Sequence, residues 1–530
     1  MTRSSKIVAA LLALLLLAAA CTSEEGADPD DTTEDTAADD ESTTTEGDDE
    51  DDAAALDPTF EKAECPESEY YDIEEMNAFC GTVVVPENYD EPDGATVTLV
   101  VMVIPALSDD PEPDPVVYLD GGPGGDGFSS AATLAETPAR DDRHMILYTQ
   151  RGTGVSTPSL NCDNSDEAFE EFLPLEADSD EAEELADELF VECRDALLDE
   201  GIDLQQYNSA NSAKDLTSLR VALGEELDFD EWNLLGISYG TRLALTALRD
   251  EPDGIRTATI DSVYPPTRDL SVEVAVNAQA AFDNLFERCA QSIECDARYP
   301  DLAQRWEELV DELEADPVVV EAEGLISDDI GGEVLIDGDT LVGAVFQMLY
   351  VSDLVPLLPA IIGQLEDGDF DYFAALAIEL GYGSAEGISE GMYYSVQCQE
   401  AIPFSKPEDA QQALDALDPD VARVFDPESD KEDCETWGVE PSGPIENEPV
   451  SSDVPTLVMS GGFDPITPVS WAQEAAETLT NHWFVVVESG AHGSSLDECG
   501  GEILAAFLDD PEEDPTLPCA SESASDLDWE

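Results

Sequence analysis

The chain has 530 residues, with 125 acidic side chains against 19 basic ones and a formal net charge of −106 at pH 7. Nucleic acid is therefore excluded as a partner, because its phosphates are bound by clustered lysine and arginine. The length is sufficient for one large α/β domain with an inserted cap.

The amino-terminal segment, residues 1–21, predicts export. Arg3 and Lys6 precede an apolar run over residues 7–20, which is too short to span a bilayer comfortably and has the form of a signal-peptide core. Residues 17–21 resemble a bacterial lipobox, so we expect cleavage before Cys21, lipid attachment to its sulfur, and a location at the outer face of the cell membrane. The alternative is an ordinary secretory signal in which Cys21 has no such role.

Residues 22–58 form a predicted tether between this anchor and the rest of the chain. They carry 17 acidic residues and no basic ones, and Leu56 is their single large aliphatic side chain. Such a segment buries too little apolar surface to fold, and its like charges keep it extended.

The remaining sequence predicts an α/β protein with a mostly parallel, eight-stranded sheet. Apolar runs separated by helical or loop segments indicate the strands, and the first two are predicted to form a hairpin. We expect residues 59–266 and 450–520 to build the sheet, 267–449 to be a mainly helical insertion, and 521–530 to be an acidic tail. The predicted strands lie near residues 81–85, 95–104, 115–119, 144–149, 231–236, 256–261, 454–460 and 483–488.

Residues 236–240, of sequence GISYG, are the most informative motif. They follow an apolar strand-like run and open a segment with helical spacing. A sharp strand-to-helix turn needs small residues two positions before and after its centre, and it projects the central side chain above the sheet edge. Ser238 is therefore the predicted nucleophile. The N–H group of Tyr239, the next residue, is the first predicted donor to an oxyanion.

Two further side chains follow predicted strands, where open α/β sheets place their active sites. Asp464 comes after the strand near 454–460, and His492 after the strand near 483–488. The order Ser, Asp, His is that of α/β-hydrolases. The other two histidines, His144 and His482, precede their strands and belong at the opposite edge. His492 is thus the predicted base, and Asp464 the acid that orients it.

A glycine-rich loop at 121–125 follows another predicted strand and can direct backbone N–H groups at a substrate oxygen. Together the motifs resemble those of α/β-hydrolase peptidases of the prolyl and tripeptidyl aminopeptidase type, in the secreted actinobacterial branch with a TAP-like carboxy-terminal region. The resemblance spans residues 60–520. It depends on residues 121–125, 150–156, 236–240, 462–468 and 490–493.

The resemblance implies a helical lid over the active site and a second oxyanion donor at the N–H group of Gly122. It also implies a lid carboxylate that holds the free α-ammonium of a peptide substrate, and Glu400, in the segment 393–400, is the residue we predict for this role.

The predicted function is an aminopeptidase that releases short amino-terminal fragments of peptides through an acyl-enzyme, without cofactor or metal. One alternative is a carboxylesterase or lipase-like acyl hydrolase with the same three side chains. Another is a binding protein on an inactive hydrolase scaffold. The number of residues removed per cut stays open.

Ten cysteines remain after Cys21, an even number that predicts up to five disulfides in an exported protein. Sequence alone does not determine the connectivity. Metal binding is the weaker alternative, because the chain has no C-x-x-C pair and little histidine. Pairing of near neighbours along the chain gives Cys65–Cys80, Cys162–Cys193, Cys289–Cys295, Cys398–Cys434 and Cys499–Cys519.

The acidity belongs to the part of the chain that is predicted to fold. Setting aside the 17 acidic residues of the tether and the two basic residues of the signal leaves 108 acidic and 17 basic residues on 59–530, a formal charge of −91. Repulsion among these charges destabilises the compact state in dilute buffer, whereas at ~1 M salt the Debye length is only about 3 Å. We therefore hypothesise that the protein is adapted to high salt.

Overall fold

The computed structural model describes residues 58–68, 71–162, 171–176, 179–321, 333–425, 429–521, 527 and 529. The predicted signal peptide, Cys21 and the predicted tether up to residue 57 lie outside these residues. In the described part of the chain no helix is long and apolar enough to cross a membrane.

Eleven strands occur in the described residues. They are β1 (Phe60–Ala63), β2 (Phe79–Pro86), β3 (Thr96–Ile104), β4 (Val116–Leu119), β5 (Met145–Tyr148), β6 (Trp232–Ile237), β7 (Ile255–Asp261), β8 (Val318–Glu321), β9 (Glu333–Ile336), β10 (Thr456–Gly461) and β11 (His482–Val487).

Nine of these strands form one sheet in the order β1-β2-β3-β5-β4-β6-β7-β10-β11, and β8 and β9 form a separate antiparallel hairpin. The pairs from β1 to β5 are antiparallel, and the five pairs from β5 to β11 are parallel. Every residue of β4, β5, β6 and β10 is buried, because helices cover both faces of a parallel sheet.

The sheet has nine strands rather than the eight predicted. All eight predicted strands are present, and the additional one is the edge strand β1, whose Phe60 is paired with Val83 of β2. Three of the four residues of β1 are exposed. The strand therefore has neither the apolar run nor the alternation that marks a strand in a sequence.

The helices cover the sheet and make up most of the insertion. They are α1 (Ile73–Met76), α2 (Ala131–Glu136), α3 (Asp180–Asp199), α4 (Ser209–Leu227), α5 (Tyr239–Asp250), α6 (Leu270–Gln291), α7 (Ile293–Arg298), α8 (Leu302–Ala315), α9 (Gly338–Met348), α10 (Leu358–Glu366), α11 (Asp371–Gly387), α12 (Glu390–Glu400), α13 (Pro407–Leu414), α14 (Pro419–Ala422), α15 (Ser429–Trp437), α16 (Val469–Ala476) and α17 (Glu498–Asp509).

The insertion between β7 and β10 contains α6 to α15 and the β8–β9 hairpin, so it is mainly helical as predicted. Much of it packs around a hydrophobic cluster of its own, with Trp306 and Phe346 among the buried members. Phe463 and Ala491, the residues directly before Asp464 and His492, belong to the same cluster. The insertion therefore packs against both loops that carry these predicted site residues.

Disulfide bonds and the burial of Trp529 complete the fold. The ten cysteines form the five predicted disulfides, with Cα–Cα distances between 5.0 and 6.0 Å. Within the predicted acidic tail, Trp529 is only 1% exposed and lies in the cluster of the insertion, and its carbonyl accepts a hydrogen bond from Arg298 at 2.7 Å. This residue of the predicted acidic tail thus packs with the insertion, since burial of an indole is favourable.

Candidate active site

Ser238 is the central residue of a strained turn between β6 and α5. Its backbone φ of 57° and ψ of −123° lie in a region that residues other than glycine rarely adopt. A β-carbon on Gly236 would overlap the carbonyl of Gly240, and one on Gly240 would overlap the carbonyl of Leu119. The turn therefore requires both glycines. Ser238 is half-buried, whereas its neighbours on either side are buried.

His492 and Asp464 form a hydrogen-bonded pair beyond the carboxyl ends of β11 and β10. Nδ1 of His492 lies 3.0 Å from Oδ2 of Asp464. The N–H groups of Ile466 and Thr467 donate to Oδ1 of Asp464 at 3.0 and 2.8 Å, and the Thr467 hydroxyl donates to Oδ2 at 2.8 Å. The Asp464 side chain is fully buried and that of His492 is 12% exposed. A carboxylate held in this way orients an imidazole and stabilises its charged form.

Asp464 and His492 shift each other's pKa. Burial lowers the pKa of His492, but the carboxylates of Asp464 and Asp261 outweigh it and raise that pKa above its ordinary value. Burial raises the pKa of Asp464, but the charge of His492 and hydrogen bonds from His492 and Thr467 bring it below its ordinary value. The pair is thus a stable carboxylate beside an imidazole that readily takes up a proton.

The loop that carries His492 lies against the Ser238 turn. A β-carbon on Gly493 would be 3.4 Å from Cγ2 of Ile237, and the Gly493 N–H donates to Oγ of Ser262 at 2.8 Å. The hydrogen bonds of the described residues do not include one between Ser238 and His492. In free enzymes such bonds are often long and shorten when substrate binds.

The glycine loop at 121–125 lies on the other side of Ser238. A β-carbon on Gly121 would be 3.0 Å from Cβ and 3.4 Å from Oγ of Ser238, so a larger residue has little room there. Gly122 has a φ of 100°, which favours glycine. Its N–H group and that of Tyr239 donate to no other described residue. Both predicted oxyanion donors are therefore without an internal acceptor.

Glu400, the residue predicted to contact a substrate ammonium, is buried, and its carboxylate is already paired within the protein. Glu400 is 1% exposed. Its Oε1 accepts from the N–H of Ser209 at 2.6 Å, and its Oε2 accepts from the Ser209 hydroxyl at 2.7 Å and from Nε of Arg242 at 3.2 Å. Arg242 belongs to α5, so Glu400 supports the helix that follows the turn at Ser238.

Asp261, which the sequence analysis did not predict, contacts the loop that carries His492. It ends β7, and its carboxylate accepts the Ser494 hydroxyl at 3.2 Å and the Ser495 N–H at 2.6 Å. The signal was available, because Asp261 is an acid at the end of a predicted strand, as Asp464 is.

Tyr350, from the insertion, was also missed. Its carbonyl accepts the His492 N–H at 3.3 Å, and its ring centroid lies 4.9 Å from that of the imidazole. Nothing in the sequence marks this contact, since the two residues are far apart in the chain.

The motif at 150–156 has a structural role within the fold. Arg151 is fully buried, and its guanidinium donates to both carboxylate oxygens of Asp215 at 2.7 and 2.6 Å. It also donates to the carbonyls of Glu87 and Gln206 at 2.9 Å. These bonds join the segment after β5 to α4 and to the end of β2.

The other two histidines lie at the opposite edge of the sheet, as predicted. Nδ1 of His144 accepts the N–H of Ala106 at 2.9 Å, and Nδ1 of His482 lies 2.7 Å from the carbonyl oxygen of Leu479. Over the described ranges, no group of three or more His, Cys, Asp or Glu side chains is placed to hold a metal ion.

The sequence is similar to those of known proteins. Residues 114–314 match the family model described as alpha/beta hydrolase fold, and residues 422–519 match the model described as TAP-like protein. The serine protease Hip1 of Mycobacterium tuberculosis is 27% identical over 455 residues, which cover 81% of this chain and 85% of that one.

Two further relatives have different names. The tripeptidyl aminopeptidase of Streptomyces coelicolor is 33% identical over 203 residues, 36% of each chain. Carboxylesterase B of Mycobacterium tuberculosis is 26% identical over 480 residues, 84% of this chain and 86% of that one. The chain therefore has the α/β-hydrolase fold with a TAP-like carboxy-terminal region, and the relatives named as a serine protease and a tripeptidyl aminopeptidase support a serine peptidase.

Proposed function

We propose that the protein is an exported aminopeptidase that releases short amino-terminal fragments of peptides, with Ser238 as nucleophile, His492 as base and Asp464 as the acid that orients it. The observation that carries the proposal is the hydrogen-bonded pair of Asp464 and His492, in a loop that touches the strained turn of Ser238.

The proposed reaction is acyl transfer through a covalent intermediate. His492 takes the proton of Ser238 as its oxygen attacks the substrate carbonyl carbon, and Asp464 stabilises the resulting imidazolium. The imidazolium then protonates the leaving amine, and water releases the acyl fragment by the same steps. The N–H groups of Tyr239 and Gly122 hold the oxyanion, and loss of one such donor typically costs on the order of 10²–10³ in rate.

The match to the TAP-like family model and the likeness to a protein named tripeptidyl aminopeptidase support aminopeptidase activity. A carboxylesterase is the second candidate. It is favoured by the burial of Glu400, which leaves the predicted anchor for an ammonium unavailable, and by the likeness to a protein named carboxylesterase B.

Peptides with free and with acetylated amino ends distinguish the two candidates, in assays at high salt. An aminopeptidase releases short fragments from the free peptides and leaves the acetylated ones intact. Preference for acyl esters over both kinds of peptide favours the esterase, whereas equal cleavage of both peptides means that the free amino end is not recognised. Ser238→Ala and His492→Ala should abolish turnover, and a fluorophosphonate should label the wild type but not Ser238→Ala. An unlabelled, inactive wild type indicates a binding protein.

Export is supported by the five disulfides, which persist in oxidising compartments. The lipid at Cys21 and the outer face of the membrane remain part of the proposal. Metabolic labelling with an alkyne-modified palmitate tests them, since Cys21→Ser should lose the label and leave the membrane fraction.

A further inference from the structure

We propose that Ile388 forms a wall of the subsite that receives the acyl part of the substrate, and that it thereby selects the side chain of the residue after which the chain is cut, P1. The inference rests on the proposed hydrolase function and adds substrate selection to it. Ile388 belongs to the insertion and directly follows α11.

Ile388 contacts the glycine loop at two places. Its Cδ1 lies 3.3 Å from where a β-carbon on Gly122 would stand, and its Cγ2 lies 3.2 Å from the same point on Gly124. Gly122 carries the N–H group that is proposed to hold the oxyanion. The isoleucine is half-buried, so the surrounding residues do not enclose it completely.

Backbone hydrogen bonds fix the position of this isoleucine. The residue after it, Ser389, donates its N–H to the carbonyl of Gly124 at 2.9 Å and its hydroxyl to the carbonyl of Gly152 at 2.8 Å. The residue before it, Gly387, accepts the N–H of Asp126 at 3.0 Å. Because the insertion and the glycine loop pair like two short strands here, the apolar side chain has a defined place beside the oxyanion site.

The strand order places this wall on the acyl side of the reacting carbon. The glycine loop follows β4, which is next to β6 on one side, whereas β7, β10 and β11 lie on the other side of β6. His492 comes from that other side, and it must face the leaving group to protonate it. The acyl part is therefore directed towards the glycine loop and Ile388. An aliphatic wall at this point favours an apolar P1 side chain of limited size.

Two series of substrates test whether Ile388 selects the acyl part of the substrate. The first consists of tripeptide p-nitroanilides with free amino ends that differ only in having Ala or Phe at P1. The second consists of p-nitrophenyl acetate and p-nitrophenyl 3-phenylpropanoate, which vary the acyl part without a peptide. We expect Ile388→Ala to raise the ratio of kcat/KM for the bulky over the small acyl group by about tenfold or more, and Ile388→Phe to lower it by a similar factor. Ile293→Ala is the matched control, because Ile293 is 88% exposed, and it should leave the ratio unchanged.

The possible results distinguish failure of the proposed P1 subsite from failure of the proposed hydrolase function. The variants could hydrolyse p-nitrophenyl acetate at rates near that of the wild type, with the ratio of kcat/KM for the bulky over the small acyl group unchanged in both series. That result would refute the proposed P1 subsite and leave the proposed hydrolase function intact. A changed preference among leaving groups, with the acyl preference unchanged, also refutes the subsite. Should the wild type be active on esters alone, the second series still decides the question. A wild type inactive on both series refutes the proposed function and the subsite together.

Discussion

The carboxylate of Glu400 lies 3.2 Å from Nε of Arg242, and it also accepts the hydroxyl of Ser209, whose oxygen is 2.8 Å from the Tyr239 hydroxyl. Tyr239 and Arg242 both belong to the first turn of α5, directly after Ser238. A buried acid from the insertion thus holds the helix that presents Ser238, the proposed nucleophile, and one proposed oxyanion donor.

Glu400→Ala should lower the free energy of unfolding by about 3–5 kcal/mol, because it leaves the buried guanidinium of Arg242 without its carboxylate. Chemical denaturation measures this change. Glu408→Ala, which removes an exposed acid from the same insertion, is the control and should have little effect. A stable Glu400→Ala enzyme whose KM rises only for peptides with free amino ends would restore the ammonium-binding role.

The pH dependence of kcat/KM should report the raised pKa of His492. The base works only when neutral, so activity rises as the pH increases through that pKa, and the midpoint of the acid limb should lie above about 6.5. Among the described residues, Asp464, Asp261 and Tyr350 are titratable groups that act on or contact the imidazole.

Asp261→Asn should move this midpoint to lower pH, because it removes a negative charge that favours the imidazolium. Ser494→Ala is the control. It removes a hydrogen bond of Asp261 without a change of charge, so the rate should fall while the midpoint stays. An unmoved midpoint in Asp261→Asn would show that Asp261 acts only through packing of the base loop.

Trp529→Ala should destabilise the protein by about 3–5 kcal/mol, because it removes a large buried side chain from the cluster of the insertion. Urea denaturation of the full chain measures the loss. Trp529→Phe should retain most of the stability, since it keeps an aromatic ring in the same place. Equal stability of wild type and Trp529→Ala would mean that the end of the chain does not pack there in solution.

The thermal midpoint should rise steeply between low and multimolar salt, because salt screens the repulsion among the acidic side chains of residues 59–530. Thermal melts in NaCl and in KCl should agree, as screening depends on ionic strength. Sucrose is the control, because it has no charge and does not screen repulsion. It should not raise the thermal midpoint as steeply as salt does. A midpoint indifferent to salt would end the hypothesis of salt adaptation.

The features predictable from the sequence alone are those that depend on residues close together in the chain. Gly236 and Gly240 mark the turn at Ser238 because the overlap that excludes larger residues arises within a few residues and the adjoining strand. Asp464 and His492 were found because parallel strands bring their carboxyl ends to one edge, so the position after a strand already predicts proximity.

Only the tertiary structure decided which side chains are buried together across long stretches of chain. Glu400 has the charge of a substrate anchor, but its burial beside Arg242 depends on how α12 packs against α5. The contacts of Ile388, Tyr350 and Trp529 likewise join the insertion to loops and segments far away in sequence. Local backbone geometry is encoded by neighbouring residues, whereas burial and charge pairing result from packing of the whole chain.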